Sequence, residues 1–156
     1  MSAPKTANVI ISTHRNQHLS AEGDPPRLTF VTGADHKQIA GETFQSCTSI
    51  SETQMPPVMT ITFSHEVKGH VYDVTARADG TVELLDHSSP KSTTSPDGHR
   101  FLISEEVEKN VGYLVFQSVK FPGKYLCCHD NDLQLRVLPE ASEKRTAFHF
   151  DLIQIQ

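Results

Sequence analysis

Nine histidines, three cysteines and several runs of carboxylates are the side chains with chemistry to offer in this 156-residue chain. His14 and His18 stand at i, i+4, which joins two metal ligands on a helix. Here Arg15-Asn16-Gln17 reads as a turn between strands. On a strand that spacing leaves the two rings about 13 Å apart, too far for one ion. His65 and His70 flank a glycine turn, and His129 neighbours Asp130 and Asp132. These read as scattered surface histidines, so no metal or other cofactor is expected. A Gly-x-Ser-x-Gly elbow is absent, and no glycine run follows a strand to cradle phosphate. Glu105-Glu106 reads as a solvated run, not an acid–base pair. No enzyme activity and no catalytic residue is expected.

The cysteines are odd in number, and Cys127 and Cys128 are adjacent. Neighbours on a strand point to opposite faces, so these two cannot easily pair or both be core. Reduced thiols in a chain made in the cytosol are the expectation. Met1–Asn8 is small and polar with no apolar stretch behind it, and the longest apolar runs are a few residues. Neither a secretory signal nor membrane insertion is expected.

What must position these side chains is a repeated unit. Tyr113–Ser118 and Lys124–Cys128 are strand-like runs joined through Pro122-Gly123. The tip His129–Asp132 leads to Leu133–Val137, and Phe148–Leu152 closes the unit. The same order occurs earlier as Val58–Phe63, His70–Ala76, the Asp79-Gly80 turn, Thr81–Leu85 and Phe101–Ile103. A fainter copy runs through Asn8–Thr13, Gln17–Ala21, Arg27–Val31 and Phe44–Ile50. Met59, Ile61 and Phe63 alternate with Thr60 and Thr62, the period-two pattern of a half-buried antiparallel strand. Only Ser104–Asn110 is charged enough for a short helical turn. Twelve strands in three pseudo-repeats predict an all-β β-trefoil, with a six-strand barrel capped by three hairpins and no exposed sheet edge. Residues 1–7 are expected to be a flexible N-terminal segment, and 8–156 a single domain. Gly33–Glu42, Asp86–Arg100 and Pro139–Thr146 are the long loops where such a scaffold places recognition.

Net charge is -5 and unevenly placed: Val58–Gly112 carries five basic and nine acidic side chains, whereas Tyr113–Gln156 carries five of each. That balance opposes a nucleic-acid partner or a heparin-dependent growth factor, which would need a dense basic cluster.

The segment carrying Phe116, Ser118, Pro122, Gly123, Tyr125 and Leu126 resembles the interleukin-1 cytokine family. Met55–Phe63 is similar to that family's central strand, and Phe148-His149-Phe150 to its closing strand. Gly123-x-Tyr125-Leu126-x-Cys128 is more similar to the interleukin-18 branch. Phe121-Pro122-Gly123 fits the interleukin-1 branch as well, and Lys124 stands where many relatives have Trp, so the branch is open. The resemblance implies a signalling protein that leaves the cytoplasm without a signal peptide. It implies binding to an immunoglobulin-domain interleukin receptor and recruitment of a co-receptor to trigger inflammatory or immune signalling. Several relatives lose an acidic pro-segment; none is visible here, as in a mature or naturally short form. A monomer is expected. The alternatives are a receptor antagonist of the same family, a fibroblast-growth-factor-like ligand and a lectin-type trefoil.

Phe116, Tyr125, Phe148 and Phe150 are expected in the core, so recognition must come from loops. The candidate receptor-binding residues are His14, Arg15 and Asn16; Glu105, Glu106 and Lys109; Asp130 and Asp132; and Lys144 and Arg145.

Overall fold

A computed structural model describes residues 4–23, 25–32, 39–51, 53, 55, 57–86, 98–108, 110–141 and 144–155. Twelve strands follow in order: β1 (Lys5–Thr13), β2 (Gln17–Glu22), β3 (Arg27–Thr32), β4 (Phe44–Ser51), β5 (Val58–Val67) and β6 (His70–Ala76). Then come β7 (Val82–Asp86), β8 (Phe101–Glu108), β9 (Val111–Ser118), β10 (Lys124–His129), β11 (Asp132–Val137) and β12 (Phe150–Ile155). A four-residue helix, α1 (Ile39–Glu42), precedes β4, and a 3-10 turn, Thr146–Phe148, precedes β12.

Antiparallel pairing runs β1–β4–β5–β8–β9–β12 and returns to β1, which closes a six-strand barrel. The remaining strands pair as β2–β3, β6–β7 and β10–β11, the three capping hairpins. The protein is a β-trefoil. Its threefold relation is written in the register: Val9 faces Phe44, Ile61 faces Phe101, and Leu114 faces Phe150. Phe44, Phe101 and Phe150 are fully buried, and alternation along each strand puts them on the inner face. Phe63 meets Phe116 edge-on at 5.4 Å, and Phe116 meets Phe150 at 5.7 Å. Closure leaves no barrel strand with an open edge, which explains how a chain with few apolar runs keeps a dry interior.

Several expectations change. Ser104–Asn110 is no helical turn: β8 continues through Glu108, with Glu105 opposite Leu114 and Glu106 opposite Tyr113. The strand was hidden because its far half carries no apolar alternation: Glu105 and Val107 are exposed, and the half-buried position between them is a carboxylate, Glu106. β12 starts at Phe150, and Phe148 is buried from within the 3-10 turn. β1 begins at Lys5, so residues 5–7 belong to the barrel. Tyr125 is only half-buried. Three histidines are not at the surface: His18, His65 and His149 are 4%, 5% and 2% exposed. His18 lies 3.6 Å from the buried Glu42 carboxylate, and His65 Nδ1 is 3.0 Å from the Thr43 carbonyl. Most of Gly33–Glu42 and Asp86–Arg100 falls outside the described residues.

Candidate functional site

The β1–β2 turn is built by Thr13. Its Oγ1 accepts the N–H groups of Arg15 (3.3 Å) and Gln17 (3.2 Å), while Asn16 takes a left-handed φ of 59°. Asparagine tolerates that conformation better than most residues. The β10–β11 tip is a two-residue hairpin turn, with Asp130 and Asn131 at φ 50° and 66°. Positive φ at both central positions matches the right-handed twist of the flanking strands.

These two turns meet. Gln17 Nε2–H donates to Asn131 Oδ1 at 2.8 Å, and the Cys128 thiol lies 3.7 Å from Gln17 Oε1. Between them and the 3-10 turn lies an open cleft of about 430 Å³, bordered by His14, Arg15, His129, Asp130 and Thr146. Burial pushes the Cys128 thiol up; Arg15 pulls it down, and Asp132 and Asp130 push it further. A raised thiol holds little thiolate at neutral pH, so Cys128 is a poor nucleophile.

Adjoining the cleft is a chain of polar and aromatic contacts. Glu106 on β8 accepts from Arg145 Nη1 at 2.6 Å and from His149 Nε2 at 3.0 Å. A carboxylate only accepts, so His149 carries its proton on Nε2. Arg145 Nε also donates to the Pro139 carbonyl at 2.6 Å, pinning the β11–β12 connection. The His149 ring stacks on Tyr113 at 4.9 Å, and the Tyr113 hydroxyl shares a 3.1 Å hydrogen bond with His14 Nδ1. Four separate segments are thereby tied into one face.

The structure brings His14, Arg15, Glu106, Asp130 and Arg145 to this face, and Asn16 completes its turn. Among the described residues, no side-chain hydrogen bond or ion pair ties Glu105, Asp132 or Lys144 into it. Glu105 lies over Gly112 at the end of the β8–β9 hairpin, where a Cβ on Gly112 would come 3.1 Å from its carboxylate. Asp132 lines a different groove. Lys144 is exposed, and Lys109 falls outside the described residues. Sequence reasoning missed Tyr113 and His149, which read as strand filler, and the Gln17–Asn131 pair, whose members are 114 positions apart. Among the described residues, no three His, Cys, Asp or Glu side chains are grouped to hold a metal ion. All three cysteines are free thiols.

No family model matches the chain, and no curated protein matches it. Solved structures do. The binding domain of botulinum neurotoxin serotype D superposes with a TM-score of 0.64 at 12% identity, over 98% of this chain and 42% of that one. The endo-β-galactosidase of Clostridium perfringens that releases GlcNAcα1-4Gal gives 0.63 at 12%, over 96% and 33%. The Polyporus squamosus lectin, bound to a sialylated trisaccharide epitope, gives 0.58 at 12%, over 97% and 50%. The chain spans half or less of each of these proteins. At such identity the likeness establishes the β-trefoil fold alone.

Proposed function

We propose that the chain is a signalling ligand of the interleukin-1 type, which binds an immunoglobulin-domain receptor through the face built around His14, Arg15, Asp130, Glu106 and Arg145 and then admits a co-receptor. The observation that carries this reading is convergence: residues from the β1–β2 turn, β8, the β10–β11 tip and the β11–β12 connection share one polar surface. Such a surface serves recognition by shape and charge, without chemistry. Protein partners of this kind bury roughly 800 Å² per side, with a few anchoring side chains dominating. Arg15 and the ordered tip at Asp130–Asn131 are the anchors offered here. The interleukin resemblance of Phe116–Cys128 supplies the class of partner. Release from the cell belongs to the same reading.

A glycan-binding reading draws on the lectin-type neighbours and the polar cleft. The cleft offers amides and carboxylate but no Trp, Tyr or Phe on its lining, and sugar faces usually pack on such rings. Biosensor titration against a panel of immunoglobulin-domain interleukin receptor ectodomains tests the leading reading. A glycan array tests the other. Saturable receptor binding weakened by Arg15→Glu is expected, with no glycan hit.

A further inference from the structure

The trefoil cap allows three equivalent junctions to be compared within one molecule. Phe30, Leu84 and Leu135 occupy matching positions, facing Leu19, Val74 and Leu126 across their hairpins. Pro26, Gly80 and Asn131 occupy matching tips, each two residues before Leu28, Val82 and Leu133. The Leu135 N–H donates to the Gly80 carbonyl at 2.8 Å, and the Phe30 N–H donates to the Asn131 carbonyl at 2.9 Å. The third bond of this cycle, from Leu84 to Pro26, is absent among the described residues. Beside that position lies a groove of about 500 Å³ bordered by Pro25-Pro26-Arg27-Leu28, by β7 and by the start of β11.

The sequence explains the gap. Asn131 and Gly80 present their carbonyls from left-handed backbone, at φ 66° and 92°. Proline fixes φ near −65°, so Pro26 cannot adopt the conformation that its two counterparts use. Gly80 is also tight: a Cβ there would come 3.0 Å from the Leu135 carbonyl. Among the described residues the junction at Pro26 therefore stays open, and the Leu84 edge of β7 lacks the backbone partner that Phe30 and Leu135 have.

We propose that this junction takes an extended peptide segment of a partner protein, whose backbone carbonyl fills the place at Leu84 that Pro26 leaves vacant. Backbone is what the two sister junctions receive, and strand addition to an open edge is an established mode of peptide capture. Exposed Pro25 and half-buried Leu28 form an apolar wall backed by the buried Pro26, while exposed Arg27 and Asp132 add one charge of each sign. Glu83 is already held by Arg77, with Nε 2.6 Å from Oε1. The fitting segment is extended, with an apolar side chain flanked by charge. This groove is separate from the face carrying His14 and Arg15, so its test stands apart from receptor binding.

Two measurements on the full chain decide it. In amide hydrogen exchange, Leu84 is expected to exchange at least about tenfold faster than Phe30 and Leu135; equal protection means a closed junction and overturns the proposal. A library of capped hexapeptides with Leu, Ile or Val at the third position is then titrated into isotope-labelled protein. Binders are expected to shift the Leu84 amide and to weaken about tenfold in Leu84→Pro, which removes the outward N–H of an edge strand along with part of a side chain packed on the core. Arg27→Glu, on the exposed rim, is expected to weaken them about threefold and covers the case in which the proline variant does not fold. No binder, or binders that shift other amides, overturns it.

Discussion

The phenol ring of Tyr113 lies flat against the imidazole of His149, with centroids 4.9 Å apart and planes inclined by only 4°. Tyr113 comes from β9 and His149 from the residue between the 3-10 turn and β12, and the same phenol reaches His14 in the β1–β2 turn. Removing the ring and removing only its hydroxyl should therefore differ. Tyr113→Ala is expected to cost about 2–4 kcal/mol, because stacking and burial are both lost. Tyr113→Phe should cost about 0.5–1.5 kcal/mol, the scale of one hydrogen bond. Urea denaturation of the two variants measures the difference.

Glu106 holds Arg145 and His149 at once. The Arg145 and Glu106 side chains are 28% and 25% exposed, sheltered enough for their coupling to exceed that of a surface pair. A double-mutant cycle with Glu106→Gln and Arg145→Ala is expected to give a coupling of about 1–2 kcal/mol. A value near zero would mean that the β11–β12 connection is held by other contacts.

The fold was legible where burial writes a pattern. Ile61 and Phe63 alternate with Thr60 and Thr62 because one face of β5 meets a dry core, although Met59 at its start is 40% exposed, and β4, β8 and β12 each open on a buried Phe. The far half of β8 was illegible because Glu105 and Val107 are exposed and the sheltered position between them is a carboxylate, Glu106, so no apolar alternation marks the strand. The face was legible in part. His14, Arg15, Asp130 and Arg145 stand out as charge in turns, and turns are where recognition is sought. Tyr113 and His149 act through partners 99 and 43 positions away, and no local pattern encodes such pairing. The buried His18–Glu42 contact was hidden for the same reason.

Phe44, Phe101 and Phe150 are related by the trefoil's threefold axis and are equally buried. Phe101→Ala is expected to cost about 3–5 kcal/mol through the cavity it leaves. Phe44→Ala should cost a similar amount if the three repeats share one core. Thermal or urea unfolding that is cooperative in both variants, with matching losses, checks this.

Burial pushes the Cys127 thiol up to about 11 from an ordinary 9.0; Arg136 opposes this and Cys128 adds to it. The folded state thus keeps its proton longer than the unfolded chain. The stability linked to that proton is complete below pH 9 and is lost as pH rises through 11, at most ~2–3 kcal/mol in all. Urea midpoints measured across this alkaline range should fall more steeply for wild type than for Cys127→Ser. Cys127 should also resist alkylation at neutral pH.

Receptor capture tests the proposed function most directly. Wild-type protein and Arg15→Glu are titrated over immobilised immunoglobulin-domain interleukin receptor ectodomains at low and physiological salt. Saturable binding to at least one ectodomain is expected, weakened about tenfold or more by Arg15→Glu and associating more slowly as salt rises. Absence of binding to every ectodomain, or binding that is indifferent to Arg15, would contradict it.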